Sequence, residues 1–201
     1  MSDKRARWLL IAFAASGIVG LAAVAAVIAL GSSGGTANAA DVPAAMKAAG
    51  CTFKTVKATG REHVSSLDAK IKYNTSPPSN GNHYISPASW GFYESAAIPI
   101  QVVHNEEHGG VIIWWGDKVP RSTVDELHDF YSSSPDAMLG TPYPRLGDKI
   151  ALTAWTAPSG GMGHGRIAVC GAYDATAFKA FRDAFRGKGP ERYPIDTMTP
   201  G

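Results

Sequence analysis

Six histidines carry most of the chemistry that this chain of 201 residues can offer: His63, His83, His104, His108, His128 and His164. His104 and His108 bracket Asn105-Glu106-Glu107, with β-branched runs on both sides. If the three intervening residues turn a hairpin, the two imidazoles become a cross-strand pair with Cβ atoms about 5 Å apart. If the segment is instead a helical turn, the i,i+4 spacing brings them equally close. Either conformation converges two nitrogen ligands, as Zn, Cu, Ni or Fe requires. His83 follows Pro77-Pro78-Ser79-Asn80-Gly81-Asn82, where prolines stiffen the chain and Gly81 permits a positive φ. A rigid loop that presents one imidazole is what a third ligand needs. Glu107 stands beside the pair as a ligand or as an orienting carboxylate, and His63, in Arg61-Glu62-His63-Val64, is a fourth candidate. The expected cofactor is one divalent transition-metal ion, Zn or Cu, held by His83, His104, His108, Glu107 and His63. The competing explanation is that these histidines only hydrogen-bond to loop backbone. His128 reads as a solvated helix position, and His164, in a glycine-rich loop, as incidental. No strand–glycine–helix order surrounds that loop, so it is not a phosphate cradle.

His104 to His108 also spells H-x-x-E-H, a metallopeptidase signature with Glu107 as general base. That mechanism needs one helix to carry both histidines and the base. Gly109 and Gly110 break a helix at once, and the flanking β-branched residues favour strand, which argues against the peptidase.

The elements that must hold these residues read as α+β. Val124, Leu127 and Tyr131 repeat at helical spacing behind a cap at Ser122 or Thr123, with Asp125 and Glu126 in the first turn. Asp174 caps a second helix whose Phe178, Phe181 and Phe185 form one apolar stripe, and Gly187 stops it. Asp41-Val42-Pro43 opens a short third helix before Gly50. Strands are expected at 98–103, 111–115, 150–156 and 166–170, all rich in β-branched or aromatic residues. The order implies an antiparallel or mixed sheet of about four strands with helices on one face. Residues 57–97, dense in Pro, Gly, Asn and Ser, read as a long structured loop region, where function concentrates.

Ahead of this domain, residues 8–30 carry no charge and suffice to span a bilayer. Lys4, Arg5 and Arg7 precede the run, and no Lys or Arg follows before Lys47, so residues 1–7 are expected in the cytoplasm and the remainder outside. Two fates are open for the segment: a retained single-pass signal anchor, which its length favours, or cleavage after Ala39 at Ala37-Asn38-Ala39. Residues 31–40, small and glycine-rich, form a tether, and 41–201 the exported domain. The formal net charge of +2 arises entirely within the first seven residues, so no basic excess is left for nucleic acid. Hydrophobic residues are 45% and charged residues 18%, which excludes a disordered chain. The two cysteines, Cys51 and Cys170, lie near the two ends of the exported domain, where an even count favours a disulfide. Closing so long a loop stabilises a fold by on the order of 4–5 kcal/mol on the chain-entropy model.

A set of residues in order adds a resemblance. His63, Tyr73, Pro77-Pro78-x-x-Gly81-x-His83-Tyr84, Gly91-x-Tyr93, Val103-His104-x-x-Glu107-His108-Gly109-Gly110-Val111 and Gly189-Pro190-Glu191 together resemble a family of bacterial membrane-anchored exported domains, the domain of unknown function "thirty-one-oh-five". The resemblance runs from about Cys51 to Pro194. The family usually carries Ser where Asn80 stands and Leu where Glu106 stands, so Glu106 is expected to add a carboxylate beside the site. The resemblance implies a membrane-tethered domain and supports the histidines as a set, but it names no substrate. Two classes of function follow: an exported metal-binding domain, or a non-enzymatic interaction module at the cell envelope. The second would use Trp114-Trp115, one ring in the core and the other towards a protein partner.

Overall fold

The computed structural model describes residues 38–201. The basic tail, the apolar segment 8–30 and most of the tether lie outside the described residues. Among the described residues no helix is long and apolar enough to cross a membrane. Among the described residues the fold is α+β, with four helices and a six-stranded mixed sheet. In chain order the elements are α1 (Val42–Ala48), β1 (Thr52–Lys57), β2 (His63–Val64), β3 (His83–Tyr84), β4 (Gly91–Phe92), α2 (Pro99–Glu107), β5 (Val111–Trp115), α3 (Arg121–Ser132), β6 (Met138–Pro142), β7 (Ile150–Thr156), β8 (His164–Cys170) and α4 (Ala175–Phe185).

The sheet order is β1-β8-β7-β5-β6-β4. β1, β8, β7 and β5 are antiparallel neighbours, whereas β5, β6 and β4 run parallel. The expectation of about four strands therefore gains β1 and β6 and the short edge strand β4, and loses 98–103, which is helix. Alternation along the central strands divides the core in two. Val111, Ile113 and Trp115 of β5 face α1, α3 and α4, and the Phe178, Phe181 and Phe185 stripe of α4 fills that side. Each fully buried Phe there contributes about 1.5–3 kcal/mol. Ile112 and Trp114 face the other way, onto Val102 of α2. Helices thus cover both faces of the sheet, and the expected one-sided arrangement is corrected by α2. Both tryptophans are buried, Trp114 completely and Trp115 to all but 6%.

Two local expectations change in detail. α3 starts at Arg121 behind Pro120 and has no side-chain cap, so Asp125 and Glu126 fall beyond its first turn. Asp174 does cap α4, accepting a hydrogen bond from the Ala177 N–H at 2.8 Å. Cys51 and Cys170 form a disulfide, with Cα atoms 4.2 Å apart. It ties the residue before β1 to the last residue of β8, at one end of the ladder those strands share.

α2 is the element that matters most for the site. Val102 and Val103 disfavour helix intrinsically. Pro99 occupies the first helical position, where its missing N–H costs nothing, and Gly109 exits at φ +99°. Val102, Val103 and Glu106 all lie buried, and tertiary burial overrides the β-branched preference.

Candidate metal centre

Three short segments bring the histidines together. β2 and β3 form a two-residue parallel ladder whose register pairs His63 directly with His83. The loop before His83 is braced by its own amides. Asn80 Oδ1 accepts from the Thr59 N–H at 3.0 Å, Asn82 Oδ1 accepts from the Glu62 N–H at 3.0 Å, and the Tyr73 hydroxyl donates to the Asn82 carbonyl at 2.9 Å. Gly81 sits at φ +121°, which its lack of a side chain permits. α2 supplies His104 and Glu107 from consecutive turns of one face, and His108 caps its C-terminal end. The helical alternative for His104 and His108 is therefore the one realised.

The ring nitrogens divide their work. His83 Nδ1 lies 2.8 Å from the Gly81 carbonyl oxygen, and His104 Nδ1 lies 2.8 Å from the Tyr84 carbonyl oxygen. A carbonyl only accepts, so each Nδ1 carries a proton and donates it. In the neutral ring Nε2 then holds the lone pair; that of His83 faces Glu107, and that of His104 faces His108. His83 Nε2 lies 2.9 Å from Glu107 Oε2, His63 Nε2 lies 3.4 Å from the same oxygen, and Arg61 Nε donates to Glu107 Oε1. The rings of His63, His83 and His104 are mutually 4.8 Å apart between centroids. One ligand atom from each of His63, His83, His104 and Glu107 lies within 4.8 Å of the others, a geometry that can hold a metal ion.

His108 is expected in that set but sits at its edge. Its Nε2 lies 3.0 Å from His104 Nε2 and 3.5 Å from Glu191 Oε2, and its ring packs on Tyr193 at 4.4 Å. His104, His108 and Glu191 form a second convergent group that shares His104. His63, expected as the fourth and weakest candidate, is instead integral to the first group.

Burial sets the electrostatics. Desolvation holds the His104 imidazole down at about 4, and the neighbouring histidines push the same way against the Tyr84 carbonyl. His108 is lowered too, first by burial, although Glu191 and Glu107 oppose the shift. Burial alone would raise Glu107, but hydrogen bonds from His83 and Arg61, and their charge, outweigh it and hold the carboxyl at about 2. At neutral pH the cluster therefore presents a neutral His104 and an ionised Glu107, the protonation states a cation requires.

Glu106 does not join the cluster. It is fully buried, neither carboxylate oxygen has a hydrogen-bond partner, and burial pushes its pKa well above the usual carboxylate range. The nearby Thr153 hydroxyl on β7 opposes that shift, and burial outweighs it. Arg61 and Glu191 are the site residues that sequence reasoning did not single out. Arg61 adjoins His63 in sequence, and Glu191 closes the Gly189-Pro190-Glu191 motif. Neither carries a spacing signal, because both reach the site through loops. The Glu191 N–H bonds to the Glu107 carbonyl at 3.0 Å, which pins that loop to the end of α2. Gly189 packs so tightly on Glu107 and Gly109 that a Cβ there would overlap their backbone atoms. His164 stands exposed at the start of β8, away from the cluster, and His128 is exposed on α3.

Fold and site together define an α+β domain built around a buried histidine–glutamate cluster. The chain belongs to the family described as "Protein of unknown function (DUF3105)", whose model matches residues 63–196. The match opens on His63 and encloses every residue of both convergent groups, whereas Cys51 and β1 precede it. No curated protein and no solved structure matches the chain.

Proposed function

We propose that this protein is a membrane-tethered, extracytoplasmic metal-binding domain, in which His63, His83, His104 and Glu107 hold one divalent transition-metal ion, Zn or Cu, and His108 and Glu191 flank it. One observation carries the reading. His83 and His104 each fix Nδ1 on a backbone carbonyl, which leaves His83 Nε2 to face Glu107 and His104 Nε2 to face His108, while one ligand atom from each of His63, His83, His104 and Glu107 lies within 4.8 Å of the others. Orienting a ligand imidazole through its second nitrogen is how metal sites fix tautomer and direction. In the neutral His83 ring, moreover, a lone pair would face the Glu107 carboxylate at 2.9 Å. A cation between them, either a proton on Nε2 or a metal ion, relieves that repulsion.

A hydrolase with Glu107 as general base is the weaker reading. α2 does carry His104 and Glu107 together, so the objection from helix length falls. Yet Arg61 occupies one oxygen of Glu107, and His83 and His63 crowd the other. A carboxyl held at about 2 is a poor base.

Elemental analysis of the full chain, purified without a histidine tag, tests the metal. The expected result is close to one equivalent of Zn or Cu, lost in His83→Ala and His104→Ala and kept in His128→Ala. Background metal in the wild type, with a melting temperature indifferent to both added Zn and a chelator, would overturn it. The tether is tested by the intact mass of membrane-extracted protein. A mature N-terminus at Ala40 would replace the anchor with a cleaved signal peptide.

A further inference from the structure

The parallel half of the sheet ends in a cleft that is separate from the histidine cluster. Phe92, Trp115 and Pro142, the last residues of β4, β5 and β6, all line it. Its volume is about 730 Å³, the size of a small-molecule site. The chain leaving β4 runs into α2 on one face of the sheet, and the chain leaving β5 runs into α3 on the other. The carboxyl ends of parallel strands are where open α/β sheets bind ligands, and this cleft lies at that end of β4, β5 and β6.

The lining chemistry selects the ligand. Phe92 stacks on Trp115 at 4.7 Å, and the exposed His128 ring meets Phe92 edge-on at 5.0 Å. Around these aromatic groups stand Glu94, Asp117, Asp125 and Asp129, all exposed, against a single guanidinium, Arg121. Asp125 pairs with Arg121 at 2.9 Å, which leaves Glu94, Asp117 and Asp129 without an ion pair among the described residues. The N-terminus of α3 borders the cleft and by itself attracts anions, but with roughly half a positive charge it is outweighed by three negative ones. Aromatic groups ringed by carboxylates favour a cation with an apolar body.

We propose that this cleft binds a small organic ammonium ion, whose apolar body lies against Phe92 and Trp115 and whose charge faces Asp117, Asp129 and Glu94. The test is calorimetric titration of the full chain with three isosteric probes: benzylamine, which is an ammonium ion at neutral pH, benzyl alcohol and benzoate. Benzylamine should bind saturably with a Kd of about 1 mM or tighter, and the other two at least about tenfold more weakly. Asp117→Asn combined with Asp129→Asn should weaken benzylamine about tenfold while leaving the urea midpoint unchanged. If that double variant does not fold, Glu94→Gln with the same three probes decides. His104→Ala, which dismantles the metal centre, should leave benzylamine affinity intact, so the two proposals stand or fall apart. Equal affinity for benzyl alcohol, preference for benzoate, no saturable heat with benzylamine, or full affinity in the carboxylate variants would each overturn the assignment.

Discussion

His83 Nε2 lies 2.9 Å from Glu107 Oε2, while Nδ1 of the same ring is committed to the Gly81 carbonyl. The imidazole comes from a loop-bound two-residue strand and the carboxylate from the last turn of α2. Their contact therefore records how two chain segments were brought together, and it sets the stakes for substitution at either partner.

Removing the carboxylate charge should weaken the site without dissolving it. Glu107→Gln keeps the side-chain volume but gives up the charge that Arg61 and the histidines answer. Metal affinity should fall by at least about 10–100-fold, the range seen when a site loses a group that orients a ligand. Competition with a chelating dye measures this, and unchanged affinity would remove Glu107 from the ligand set.

Acid should destabilise the metal-free protein in two stages. His104 is held at about 4, below its ordinary 6.5, so between those values the unfolded chain binds a proton that the folded chain refuses. Stability is then lost as pH falls from about 6.5 to about 4. Glu107, held at about 2 against 4.5, adds a loss as pH falls through that lower window. Each group contributes on the order of 2–3 kcal/mol, among the facing charges of His63, His83, His108 and Arg61. Glu106 titrates in the opposite sense over part of this window, so the slope is read in a Glu106→Leu background. Urea denaturation with chelator present, at a series of pH values, should show it, and adding His104→Ala should flatten its upper stage.

Glu106 works in the opposite sense. Its pKa is raised, so the folded chain keeps a proton that the unfolded chain releases, and stability falls as pH rises above 4.5. Glu106→Leu should stabilise the domain by about 1–3 kcal/mol near neutral pH, because a buried carboxyl without partners is replaced by an apolar side chain. Glu106→Gln leaves a polar group in the same place and should gain less. Paired urea titrations decide it, and a destabilised Glu106→Leu would show that the carboxyl has a role the fold needs.

Gly189→Ala should disturb the second convergent group at a distance. The new Cβ would overlap Glu107 and Gly109 backbone, so the 189–191 loop must move off the end of α2 and take Glu191 and Tyr193 from His108. The His108 ring resonances should shift in an NMR spectrum while those of His128 stay in place. An unshifted His108 would mean that the loop absorbs the methyl group without moving.

Reducing or replacing Cys51 and Cys170 should cost a few kcal/mol of stability, because the cross-link closes a chain segment of 119 positions. Chemical denaturation with and without reductant measures it. Equal midpoints would place the stabilisation elsewhere.

Much of this is legible in the sequence alone. The Phe178, Phe181 and Phe185 stripe with its Asp174 cap announced α4, because side-chain period and cap chemistry are local. The dense apolar runs at 111–115, 150–156 and 166–170 became β5, β7 and β8, since a strand buried on both faces needs continuous apolar side chains. The cysteine pair and the candidate ligand types were visible for similar reasons. What tertiary structure decided was non-local. Val102 and Val103 read as strand; burial of Val102 over Ile112 and Trp114, and of Val103 against Ala58 and Trp155, makes them helix, although Pro99 and Gly109 mark its two ends. β6, whose Met138-Leu139-Gly140-Thr141-Pro142 has weak strand character, exists because β5 and β4 pair with it from both sides. His63 entered the cluster through a two-residue ladder to His83, a pairing across twenty positions that no periodicity encodes. Residue types state which chemistry is possible, but convergence to one point depends on long-range packing, which is a property of the whole fold.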